Sequence, residues 1–106
     1  MAYELIATNE FMEWQSKLKD RKAARAIAMR LVRVETGLLG DVKSVGGNIS
    51  EMRIFVGKGY RIYFTIKNEV IVLLLCGGNK SNKKQQQQDI VRAGEILTDL
   101  EAEEEK

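Results

Sequence analysis

The sequence predicts an α+β fold: a short N-terminal strand, a helical hairpin, a three-strand antiparallel meander and a C-terminal helix. Three observations carry this. Apolar residues recur at helical spacing up to Glu35, switch to a period of two after Asn48, and return to helical spacing beyond Ser81. Glycine-containing segments sit where the period changes, as turns require. The chain has 106 residues, enough for one hydrophobic core and too few for two, so we expect a single domain over residues 1–100 and an acidic C-terminal tail over 101–106.

Tyr3 to Ala7 alternates weakly and predicts the first strand. Thr8 follows as a helix cap, its hydroxyl suited to accept from a backbone N–H. In Asn9 to Lys19 the large residues Phe11, Trp14 and Leu18 fall on one helical face. A second amphipathic helix, Arg21 to Glu35, places Ala24, Ile27, Ala28, Leu31 and Val34 on its apolar arc and leaves Arg21, Lys22, Arg25, Arg30 and Arg33 outside it. Gly37 stops that helix in the left-handed position past its C-terminus. Leu38 to Asn48 contains three glycines and no sustained period, and predicts a loop.

In the meander, Glu51, Arg53 and Phe55 alternate with Met52, Ile54 and Val56, and Gly57-Lys58-Gly59 supplies a tight turn. Tyr60, Ile62, Phe64 and Ile66 then alternate with Arg61, Tyr63 and Thr65, and Lys67-Asn68-Glu69 turns the chain again. Val70 to Cys76 is apolar on both faces, the pattern of an interior strand covered on both sides. Asn79, Lys80 and Ser81 follow as either a helix cap or part of a site. The last helix carries Ile90, Ala93, Ile96, Leu97 and Leu100, with a glutamine tract, Gln85 to Gln88, near its start.

Composition excludes several functions. The longest apolar run, Val70 to Cys76, has seven residues against the roughly 20 that a membrane-spanning helix needs, so a cytoplasmic protein is expected. A single cysteine, Cys76, forms no internal disulfide, and the absence of histidine removes Ser-His and Cys-His catalytic pairs. Residues 1–84 hold 15 Lys and Arg against 8 Asp and Glu, whereas residues 85–106 hold 2 against 7. A basic body with an acidic tail suggests a polyanionic partner such as nucleic acid, or simply a well-solvated surface.

The candidate chemistry lies on the meander. Glu51 and Arg53 share one face of their strand, as do Arg61 and Tyr63 of the next, and antiparallel pairing brings them together. Lys43 from the preceding loop and Lys80 beyond the last strand would complete a cluster able to bind a phosphodiester, since arginine pairs with phosphate oxygens at two points. Proton transfer would fall to Tyr63, Glu51 or a lysine; no metal or cofactor is called for. Charges on the solvent face of any half-exposed sheet produce the same pattern.

The ordered segments Phe11-Met12-Glu13-Trp14, Gly40-Asp41-Val42-Lys43-Ser44-Val45-Gly46, Glu51-Met52-Arg53-Ile54, Gly57 to Phe64, Leu73 to Ser81 and Asp89 to Ala93 resemble the RelE/ParE superfamily of bacterial toxins, in its HigB-like addiction module killer group. The resemblance implies the same fold and a cytoplasmic toxin that cuts messenger RNA on the ribosome without a metal, neutralised by an antitoxin with a helix-turn-helix domain. It implies catalytic roles for Arg53, Arg61, Lys80, Tyr63 and Glu51, and RNA contacts for Lys43, Lys58, Arg53 and Arg61. The alternatives are a ParE-like poison of DNA gyrase and a degenerate relative that retains only antitoxin binding. Two departures stand out: Asn79 occupies a position where the group has aspartate, and the glutamines lengthen the stretch from Ser81 to Asp89 by about one helical turn.

Overall fold

A computed structural model describes residues 2–80 and 82–105. In chain order the elements are β1 (Glu4–Ala7), α1 (Asn9–Ser16), α2 (Arg21–Glu35), β2 (Val42–Gly46), β3 (Ile49–Ile54), β4 (Tyr60–Lys67), β5 (Ile71–Asn79) and α3 (Lys83–Glu104). They form the expected α+β fold. The strands make a five-stranded sheet in the order β1-β5-β4-β3-β2, with β1 parallel to β5 and the remaining pairs antiparallel. The helical hairpin covers one face and α3 the other. Among the described residues no helix is long and apolar enough to cross a membrane.

Local signals act as the sequence predicts at several points. Thr8 caps α1, its hydroxyl accepting from the Phe11 N–H at 3.1 Å. Gly37, at φ +101°, donates to Val34 while Leu38 donates to Arg33, a C-terminal motif that satisfies two carbonyls the helix leaves open. Strand β5 is interior and buried from Val72 to Cys76. On the hairpin face Phe11, Ala23, Ile27, Leu31 and Val34 pack against Met52, Ile54, Tyr60, Ile62, Phe64, Val72 and Leu74. On the α3 face a smaller cluster joins Ile49, Tyr63, Leu73, Leu75 and Cys76 to Ala93, Ile96 and Leu97.

Four expectations are corrected. The segment Leu38 to Asn48 contains strand β2, paired antiparallel with β3 and broken by an irregularity between Ser44 and Gly46, so the meander has four strands. Helix α1 ends at Ser16, and Leu18 packs on the core from the connection to α2. The buried arc of α2 runs through Ala23, Ile27, Leu31 and Val34, leaving Ala28 exposed. Finally, α3 is capped by Asn82, which accepts from the Gln85 N–H at 2.8 Å, rather than by Asn79 or Lys80; Ser81 lies outside the described residues.

The register of β4 against β5 slips by one residue, so that Tyr63 faces Cys76 while Phe64 faces Leu74, leaving Leu75 as an extra residue. The bulge reverses the alternation of the rest of β5. Gly77 consequently faces the hairpin, where an added Cβ would lie 2.4 Å from the Trp14 indole, and Gly78 faces α3, where it would lie 2.4 Å from the Asp89 carboxylate. The glycine pair thus lets both helices approach one strand from opposite sides.

Candidate nucleic-acid interface

Alternation along β3 and β4 places Glu51, Arg53, Arg61 and Tyr63 on the α3 face. In register, Lys43 lies opposite Glu51, Glu51 opposite Tyr63, and Arg53 opposite Arg61. The predicted residues therefore do assemble at one end of the sheet. Like charges directly opposite each other repel, and each arginine is balanced by its own carboxylate. Arg61 donates to both oxygens of Glu51 at 3.1 and 3.3 Å. Arg53 donates to Asp41 Oδ1 at 2.8 Å, a bond that together with the Asp41 charge holds the guanidinium pKa above its ordinary value.

The cluster is only partly open. The Arg53 side chain is 33% exposed and that of Arg61 15%, while Lys43 is exposed on β2. Glu51 is buried. Tyr63, expected to stand on the open face, lies wholly buried under α3, and its hydroxyl has no hydrogen-bond partner. Burial, with the nearby Asp89 and Glu51 charges, raises its pKa, so the phenol stays protonated across the neutral range. Cys76 beside it is a buried thiol pushed up to about 12 by burial, the small hydrophobe that its place in β5 suggests.

Lys80 is exposed, with its N–H donating to the Gly59 carbonyl at 2.9 Å, at the same end of the sheet as Arg61. Lys58, between Gly57 (φ +57°) and Gly59 (φ +84°), projects elsewhere. It lines a cleft on the hairpin side with Trp14, Tyr60 and Asn79. Among the described residues no group of three or more His, Cys, Asp and Glu side chains is placed to hold a metal ion.

Three residues beyond those expected shape the site. Arg30, read as a solvated cation, points at the sheet and donates from Nε to the Leu39 carbonyl, from Nη1 to that of Arg53 and from Nη2 to that of Asp41, at 2.9 to 3.0 Å. At about 100° per residue it falls about 20° beyond Ala23, at the edge of the buried arc of Ala23, Val34, Ile27 and Leu31, and that border position is the signal that locates it. Gly40, at φ +76°, makes room for it: a Cβ there would stand 2.6 Å from Arg30 Nε. Arg30 thereby fixes the segment carrying Asp41, which in turn orients Arg53. From the other side, Asp89 of α3 lies over Gly78, with a pKa raised by burial against the opposing Gln85 hydrogen bond.

The chain has relatives in both sequence and fold. The model of the family described as Phage derived protein Gp49-like (DUF891) matches residues 11–98. An uncharacterised protein of Haemophilus influenzae is 42% identical over 72 residues, covering 68% of this chain and 73% of that one. Among solved structures, an arginine-to-alanine double mutant of E. coli toxin RelE in the free state superposes with a TM-score of 0.65 at 20% identity, covering 87% of this chain and 98% of that one. A chain of the intact E. coli RelBE toxin-antitoxin complex gives 0.61 at 21% identity, covering 76% and 100%.

Proposed function

The chain belongs to the Gp49-like phage-derived family, of RelE and HigB type, and on that footing we propose that it is the toxin of a two-protein toxin-antitoxin module: a metal-independent, ribosome-dependent endoribonuclease acting on messenger RNA. The observation that carries this reading is the directly opposed pair Arg53 and Arg61, partly exposed and each balanced by one carboxylate. Like charges are brought together at a cost that a phosphodiester repays, because its oxygens accept from both forks at once.

In the reaction the ribose 2′-oxygen attacks the adjacent phosphorus. The O2′–P bond forms, the P–O5′ bond breaks, and the products carry a 2′,3′-cyclic phosphate and a 5′-hydroxyl. Arg53 and Arg61 hold the charge of the pentacovalent phosphorane. As the phosphate draws Arg61 away, Glu51 is released to take the 2′-hydroxyl proton, and Lys80 donates a proton to the leaving 5′-oxygen. Tyr63 supports the floor beneath Arg61 and transfers no proton, since its phenol is buried and held neutral. Lys43, in line with Glu51 across β2 and β3, extends the contact to a neighbouring phosphate.

The partner is an antitoxin that covers the basic face with an acidic or amphipathic segment; E. coli RelE is itself found in a complex with its antitoxin. Inducing the chain in a bacterial host and mapping RNA 5′ ends within minutes tests the reading. New ends inside translated frames, lost with the Arg53→Ala/Arg61→Ala double variant, are expected. Growth arrest with intact messages would move the assignment to a gyrase poison of ParE type, and no arrest would leave antitoxin binding as the function.

A further inference from the structure

We propose that the cleft between α1 and the β3–β4 turn is a second RNA subsite, which binds one nucleotide of the single strand next to the cleaved phosphate. The proposal rests on the nuclease reading above and adds a substrate contact that the Arg53 and Arg61 face does not supply. The cleft has a volume of about 480 Å³, within the range of roughly 300–1,000 Å³ typical of small-ligand sites. Its walls combine the three elements that recognise a nucleotide. Trp14 is the accessible aromatic, backed by the buried Tyr60 with ring centroids 6.4 Å apart at 65°; Asn79 offers an amide; and Lys19 and Lys58 offer cations.

The pieces converge for a structural reason. Asn79 lies directly opposite Tyr60, and it reaches the hairpin side because the bulge at Leu75 has reversed the alternation of β5. Gly77 lets the indole of Trp14 lie close against the strand, and Phe11 packs beside it at 5.7 Å, so the partly buried ring is held where it lines the cleft and can serve there as a stacking platform. Lys17, at the rim, is engaged by Glu13 at 2.8 Å. Asp20 is the acidic wall residue, and its Oδ1 is already committed to the N-terminus of α2, accepting from the Ala23 N–H.

The cleft and the arginine pair lie back to back. Tyr60 and Arg61 are consecutive and point to opposite faces, so a strand of RNA bending over the Gly57-Lys58-Gly59 turn touches both. Aromatic stacking with an amide and lysines suits a base and its phosphate, whereas an apolar peptide would leave the lysines and Asn79 without partners.

Trp14 is the single tryptophan of the chain, so its indole N–H gives one NMR resonance at the proposed site. Titration with each of the common ribonucleoside 5′-monophosphates is expected to shift that resonance saturably for at least one base. Lys58→Ala and Asn79→Ala should each weaken binding by about threefold to tenfold. No saturable shift, an unchanged affinity in both cleft variants, or an equal shift with inorganic phosphate alone would overturn the proposal. If messages are cut but no nucleotide moves the resonance, the subsite falls alone. If nucleotides bind and no message is cut, the nuclease reading falls and the cleft stands as a nucleotide site.

Discussion

The two faces of the sheet are built on different terms. The hairpin face is a continuous apolar layer in which Phe11, Ile27, Val34, Ile62 and Phe64 are all buried. The α3 face shares its interior with chemistry: Glu51, the unpartnered hydroxyl of Tyr63, the thiol of Cys76 and the Asp89 carboxylate all lie near its apolar cluster. One face holds the fold and the other gives up packing to keep charged groups beside a partly open sheet. Placing a site where polar groups are incompletely satisfied is a common compromise in functional proteins.

That contrast can be broken by mutation, and the largest effect belongs to the hairpin face. Phe64→Ala should destabilise the fold by about 3–5 kcal/mol, measured by denaturant unfolding. On the α3 face, Tyr63→Phe removes only a hydroxyl that has no partner, so stability should stay within about 1 kcal/mol of the parent or rise, with RNA cleavage retained. A large loss of cleavage by a well-folded Tyr63→Phe protein would restore the proton-transfer role expected for Tyr63.

Arg30→Lys comes next. Lysine replaces a fixed fork by a point charge and cannot hold the carbonyls of Leu39, Asp41 and Arg53 together. A loss of about 2 kcal/mol is expected, accompanied by weaker cleavage because Asp41 no longer orients Arg53. The neighbouring glycines then compare the faces within one strand. Gly77→Ala meets the indole of Trp14, whereas Gly78→Ala meets the end of the Asp89 side chain, which can swing away. The first should cost about 1–3 kcal/mol and the second less.

The smallest effect is a pH dependence. Asp89 has a folded pKa above its unfolded one because burial disfavours its charge. Between those two values the folded state binds more protons, so the contribution of Asp89 to stability is present at low pH and is lost as pH rises through the folded pKa. Asp89→Asn should flatten that part of the stability profile, with stability at neutral pH no lower than the parent's. An unchanged profile would place the Asp89 carboxylate in a more solvated setting than its position over Gly78 implies.

Much of the hairpin face was legible because one periodicity decides it. The alternation of Tyr60, Ile62 and Phe64, the apolar run of β5, the Thr8 cap and the Gly37 stop are local signals that tertiary contacts reinforce. Strand β2 was not legible: it is short, at the sheet's edge, broken between Ser44 and Gly46, and set among glycines. The bulge at Leu75 leaves no mark in a segment that is apolar at every position. At the site, strand alternation brought Glu51, Arg53, Arg61 and Tyr63 together correctly. Their burial was hidden because it depends on where α3 lies, and the parts played by Arg30, Asp41 and Asp89 depend on contacts across the chain rather than on spacing.

We propose Arg53 and Arg61 as the phosphate-binding centre of a translation-coupled ribonuclease. The most direct measurement is the chemistry of the cut ends when purified protein is added to ribosomes stalled on a defined message. Fragments with a 5′-hydroxyl and a 2′,3′-cyclic phosphate are expected, formed about 100-fold or more slowly when Arg61 is replaced by alanine. Cleavage at an undiminished rate by a folded Arg53→Ala/Arg61→Ala protein, or an uncut message with the parent chain, would contradict it.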